Sequence, residues 1–211
     1  MTSPAIDKLS FTGEIQSVKG RIRMLRSFDQ LPNHQYLGYL LQMKGTVGHT
    51  QASADFRVAI GPKAHETFQF RIGDHVCGVA HPVSRPDEEW ADFYKVSGLK
   101  LLRRGPDSQN CPPNPDGGIP APLPNYRERG HFRLDRPTFE TRCQQCPWGL
   151  IMPTTIILDQ WNPSKVKTRL ETHCYGPHDC PRYKAGPPYR VQGRKPGMVY
   201  IDDDVERAGR V

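Results

Sequence analysis

The chain has 211 residues, with 29 Lys+Arg against 22 Asp+Glu and a formal net charge of +7. Its 19 Gly and 21 Pro exclude a helical bundle or coiled coil, because both residues interrupt helices. No apolar run approaches the ~20 residues that span a bilayer; the start of the chain also lacks the apolar core of a secretory signal, so a cytoplasmic, reducing location is expected, with the six cysteines as thiols or metal ligands.

Residues 8–105 read as strands. Phe11, Gly13 and Ile15 share one parity, while Val18, Ile22 and Met24 share the other, so one long strand carries a bulge or bend near Gly20. A second strand covers 36–44. In the third, Ala52, Ala54, Phe56, Val58 and Ile60 alternate with Ser53, Asp55, Arg57 and Ala59. Gly61-Pro62 breaks the chain, 63–69 makes one or two helical turns, and Gly73-Asp74 turns into a fourth strand through Cys77. The acidic loop around Asp87, Glu88, Glu89 and Asp92 reads as solvated; 93–102 is a fifth strand interrupted at Ser97-Gly98. This order, with a bent first strand and a helix between the third and fourth, predicts a mainly β protein opening with a five-stranded OB-fold barrel. Another small barrel, such as an SH3-like one, is the alternative.

Residues 106–136 contain Pro106, Pro112, Pro113, Pro115, Pro120, Pro122 and Pro124, together with Gly117 and Gly118. They read as an extended connector without a helix or inner strand. Residues 137–200 form a four-cysteine module, and 201–211 an acidic flexible tail.

Cys143-Gln144-Gln145-Cys146 and Cys174 with Cys180 make two pairs. The apolar, β-branched 150–161, the Asn162-Pro163-Ser164 turn and the alternating 165–172 predict a β-hairpin that returns Cys174 to the Cys143/Cys146 turn. Four converging thiolates suit a structural, zinc-ribbon-like zinc site at Cys143, Cys146, Cys174 and Cys180, whose metal would supply much of the folding energy of so small a module. Two alternatives stay open: an iron–sulfur cluster, since Cys146-Pro147 and Cys180-Pro181 put proline after a ligand, and replacement of one cysteine by His173 or His178. Cys77 reads as a buried thiol, and Cys111 has no visible partner.

Charge is concentrated late in the chain. Residues 162–197 hold eight basic and two acidic residues, a net +6. Lys165, Lys167 and Arg169 share one strand face, and Tyr189, Arg190 and Arg194 follow. On the barrel, Arg21, Arg23, Arg26, Tyr36 and Arg57 are the candidates. Cations interleaved with rings suit phosphate contact and base stacking. No nucleophile elbow, phosphate loop or His-Glu-x-x-His motif is present, so no enzyme is expected.

Arg21-Ile22-Arg23 with Arg26-Ser27-Phe28, Trp161-Asn162-Pro163, and Cys174-Tyr175-Gly176-Pro177 with Cys180 carry a resemblance. The chain resembles an uncharacterised bacterial family with an N-terminal OB-like domain and a C-terminal four-cysteine segment. That resemblance implies the fold and no activity. A looser likeness is to the OB-plus-zinc-ribbon proteins that accompany thiolases and acyl-CoA enzymes, in which the ribbon comes first. The leading expectation is binding of single-stranded DNA or RNA with a structural zinc. The rivals are an accessory protein docking on an enzyme, and an iron–sulfur electron-transfer or sensing protein. No membrane partner is expected.

Overall fold

A computed structural model describes residues 8–27, 30–106, 120–159, 161–177, 179–187, 190–192 and 199–201. The elements in chain order are β1 (Leu9–Ser27), β2 (Gln30–Val47), β3 (Ala54–Ile60), α1 (Pro62–Phe68), β4 (His75–Pro82), β5 (Phe93–Arg103), α2 (Leu123–Arg129), β6 (Phe132–Arg133), α3 (Arg136–Thr138), β7 (Gly149–Ile157), β8 (Val166–Cys174), β9 (Arg190–Gln192) and β10 (Val199–Ile201). The protein is mainly β. No helix among the described residues is long and apolar enough to cross a membrane. Cys111, His178, Tyr189, Arg194 and the acidic 202–211 lie outside the described residues.

Eight strands share one sheet in the order β2-β3-β5-β4-β1-β7-β8-β6. Because β1 pairs with both β2 and β4, the first five strands close into a ring. The parity switch in β1 is a bulge: Ile15 pairs with Met43 and Ser17 with Gln42, leaving Gln16 as the extra residue. Ile15 and Val18 thereby both join the ring's core, with Phe11, Leu41, Met43, Phe56, Val58, Phe70 and Val76. β5 is continuous; Gly98 takes φ 60° and the register with β4 shifts instead of breaking.

β1 outruns the ring. Its far half pairs in parallel with β7 at Met24↔Thr154, Leu25↔Thr155 and Arg26↔Ile156. β7 and β8 form the hairpin that the sequence predicts, in register from Ile157↔Val166 to Gly149↔Cys174. Ring and hairpin therefore share one sheet. A second core of Ile22, Met24, Tyr126, Leu134, Phe139, Trp148, Leu150, Met152 and Tyr175 fills the space beside the hairpin.

The segment expected to be an extended connector carries α2 and β6. Pro122 and Pro124 sit at the helix N-terminus, where a missing N–H breaks no intrahelical bond. β6 is an edge strand of two residues. α2 presents Tyr126, fully buried, to the bare backbone of Gly20: a Cβ there would lie 3.3 Å from the ring. The Tyr126 hydroxyl donates to the Pro147 carbonyl at 2.9 Å, and its ring meets Trp148 and Tyr175 at 5.0 and 5.4 Å. This side chain ties the first strand to the residues leading into the hairpin.

Candidate metal centre and nucleic-acid interface

Asp135 caps α3 by accepting from the Thr138 backbone N–H at 3.1 Å and its hydroxyl at 2.7 Å. The helix widens into a π-turn over Phe139–Cys143. Cys146 N then donates to Cys143 O at 3.2 Å, and Gly149 N to Cys146 O at 3.3 Å. These bonds place Cys143 and Cys146 on one tight turn at the foot of β7. Gly149 is required there, because a Cβ would stand 2.9 Å from that of Cys143. Opposite Gly149 in the register is Cys174, whose Sγ accepts from Gly176 N at 3.3 Å. Cys180 N donates to Pro177 O at 3.3 Å, which closes the second turn.

All four side chains are thiols; Cys143 and Cys174 are buried, Cys146 and Cys180 half-buried. Burial pushes the Cys143 thiol up. Negative charge at Cys146 and Cys180 pushes it further, while Lys19 and Arg182 pull it down. Cys143 thus lies within electrostatic reach of Cys146 and Cys180. Among the described residues, no three His, Cys, Asp or Glu side chains stand together in an arrangement that could hold a metal. Cys77, expected buried, is half-buried in β4.

The sequence reading missed Lys19. It is 3% exposed, although it belongs to the same strand face as Arg21 and Arg23. Its ammonium donates to the carbonyls of Cys143, Cys146 and Gly149 at 3.0, 2.6 and 2.6 Å and lies 5.3 Å from the Phe139 ring centre. The parallel register explains the meeting: extending Met24↔Thr154 back along both strands brings Lys19 opposite Gly149. No local pattern marked it: Lys19 shares its parity with Arg21 and Arg23, and only the structure buries it.

His173 lies at the centre of a buried polar cluster. It is fully buried, paired with Arg133 of β6 and 4.6 Å from the His131 ring, which is 4.7 Å from His34. Desolvation first, then His131, Arg26, His34 and Arg133, hold its imidazole well below the usual range, and hence neutral. Glu171, on the same face of β8, accepts from Thr154 Oγ1 at 3.2 Å and from Arg169 Nε and Nη2 at 2.9 and 2.6 Å.

The candidate nucleic-acid residues divide into three groups. Arg21 and Arg23 point away from Ile22 and Met24 as expected, but both reach Glu89 Oε2, at 2.5 and 3.3 Å. They border a cleft of about 280 Å³ together with Glu88, Glu89 and Tyr94. Arg57 grips Asp92 through Nε and Nη2 at 2.9 and 2.7 Å and stacks 3.9 Å above Trp90. The acidic loop expected to be solvated is thus engaged with these arginines.

The second group is turned inward. Arg26 has the parity of Ile22 and Met24 and is buried beside His173, Arg169 is held by Glu171, and Tyr36 lies under the Arg127 guanidinium at 5.0 Å. The third group is Lys165, Lys167 and Arg190. Lys165 and Lys167 are exposed at the hairpin tip, next to Trp161, which is 72% exposed, and Val166. Arg190 opens β9, which pairs with β10. Trp161 was another omission of the sequence reading. Its place beside Asn162-Pro163, in a turn, could have marked it as a ring without a core to enter.

Comparison with protein-family models, with curated proteins and with solved structures found no match.

Proposed function

We propose that this protein binds single-stranded DNA or RNA, chiefly through the tip of the β7–β8 hairpin. The exposed Trp161 carries the proposal. A large ring exposed to solvent on the same hairpin tip as the exposed Lys165 and Lys167 offers a stacking face together with two cations, the combination by which strands are held without sequence readout. Two local hydrogen bonds stiffen the turn that carries the ring. Trp161 N donates to Asp159 Oδ1 at 3.1 Å, and Ser164 Oγ to Asn162 Oδ1 at 2.5 Å.

The five-strand ring is read as an OB-type barrel. Its strand order and the helix between β3 and β4 support that reading. Zinc is proposed as the resident metal of the module, held by Cys143, Cys146, Cys174 and Cys180. The donor set and the N–H···S bond at Cys174 favour it. When bound, zinc would cross-link the two cysteine turns and supply folding energy. Metal analysis of native protein tests this: zinc supports it, whereas iron with inorganic sulfide would replace it with the cluster reading.

Fluorescence anisotropy with labelled single-stranded oligonucleotides at low salt tests the binding. Micromolar affinity that falls as salt rises is the expected result. Absence of binding up to ~100 μM, the weak end of non-specific affinity, would sink the proposal, and recovery of a protein partner after nuclease treatment would favour docking.

A further inference from the structure

We propose that Lys19 is the positioning residue of the metal site. The inference rests on the metal reading above and adds to it a residue from a different part of the chain. Three carbonyls, of Cys143, Cys146 and Gly149, converge on one ammonium within 3.0 Å. Two of them belong to the first pair of proposed ligands, and the third begins the strand that brings Cys174 alongside. A carbonyl fixed at both ends of a Cys-x-x-Cys turn fixes the peptide planes between, and with them the directions of the two Cα–Cβ bonds.

The ammonium is well placed for this. It comes from β1, which is anchored on one side by β2 and on the other by β4 and β7. Its side chain is almost wholly buried against Phe139. It cannot swing away without leaving carbonyls and a charge in an apolar setting, which is costly. A cation beside a metal–thiolate group also favours the negative charge that such a group carries. Outer groups that orient ligands change metal affinity by about 10- to 100-fold when removed. Lys19 would therefore do from the ring what the hairpin alone does not: fix the backbone of the turn that carries the first pair of sulfurs.

The test uses cobalt(II) and zinc with the full-length chain. Cobalt titration followed by its visible ligand-field bands, with zinc competition against a chromophoric chelator, gives affinities for the wild type, Lys19→Met and, as a surface control, the exposed Lys63→Met of α1. The expected result is a drop of about 10- to 100-fold for Lys19→Met, changed cobalt bands and no change for Lys63→Met. Equal affinity and identical bands for Lys19→Met would overturn the positioning role while leaving the metal reading intact. A wild type that takes up neither metal would overturn both. Should Lys19→Met fail to fold, NMR of the lysine side-chain ammonium groups in the wild type decides. A slowly exchanging Lys19 signal that is present with metal and shifts or vanishes on chelation supports the role; a signal indifferent to metal refutes it.

Discussion

Glu89 accepts from Arg21 at 2.5 Å across 68 residues of sequence, and the same oxygen is 3.3 Å from Arg23. Glu89 is nearly buried, with its side chain 10% exposed. Two cations that sequence marks for phosphate contact are thus already bound to a carboxylate. The Arg21→Gln/Arg23→Gln double variant should therefore change oligonucleotide affinity less than Lys165→Ala/Lys167→Ala. The lysine variant should lower the log–log salt slope by about 1.4, the value for two phosphate contacts on a single strand. Anisotropy titrations across a salt series decide it; equal losses from the two variants would show that Glu89 yields its arginines to the ligand.

Trp161 makes a sharper case, because it contributes surface and little packing. Trp161→Ala should cost about 1–3 kcal/mol of binding, the range for one base stacked on a ring. It should leave the urea midpoint nearly unchanged, since exposed positions outside special features shift stability by within about 0.5 kcal/mol. Loss of stability without loss of binding would place the ring in the fold instead of the interface.

Tyr126, in the core beside the hairpin, packs on Gly20 of β1, and its hydroxyl donates to the Pro147 carbonyl. Tyr126→Phe should cost about 1–3 kcal/mol, since it leaves that buried carbonyl without its donor. Tyr126→Ala should cost about 3–5 kcal/mol through the cavity beside Gly20 and Trp148. Urea denaturation at constant pH measures both. If Tyr126→Phe is neutral, the hydroxyl bond contributes nothing net and the ring alone carries the joint.

Burial of His65 against Tyr39, 4.1 Å between ring centres, lowers its imidazole from 6.5 to about 4. Between these values the unfolded chain takes up a proton that the folded chain refuses. Stability is therefore full above pH 6.5 and falls as pH drops toward 4, by up to about 3 kcal/mol from this group. His65→Phe should flatten that part of the profile. Parallel denaturation series for both proteins at pH 7 and pH 5 check it: an unchanged slope would remove His65 as its source.

What was legible in the sequence was local. Alternation gave the strands of the ring, and the parity switch between Ile15 and Val18 gave a bulge, expected near Gly20 and made by Gln16. The Asn162-Pro163 turn gave a hairpin whose register returns Cys174 to Gly149, beside the Cys143/Cys146 turn. Proline content misled at 123–129, because proline obstructs a helix interior and not its first turn.

Sequence by itself therefore determined the strands of the ring, the pairing of the hairpin and the existence of two cysteine turns, all set by neighbours along the chain or across one turn. Tertiary structure decided which charges remain in solvent. Parity states that Lys19, Arg21 and Arg23 share a face, but not what covers it. The Cys143–Gly149 turn covers Lys19, more than a hundred residues away, and Glu89 takes the two arginines. Such pairings depend on where β1 extends past the ring and meets β7, a relation between distant strands that no local pattern encodes.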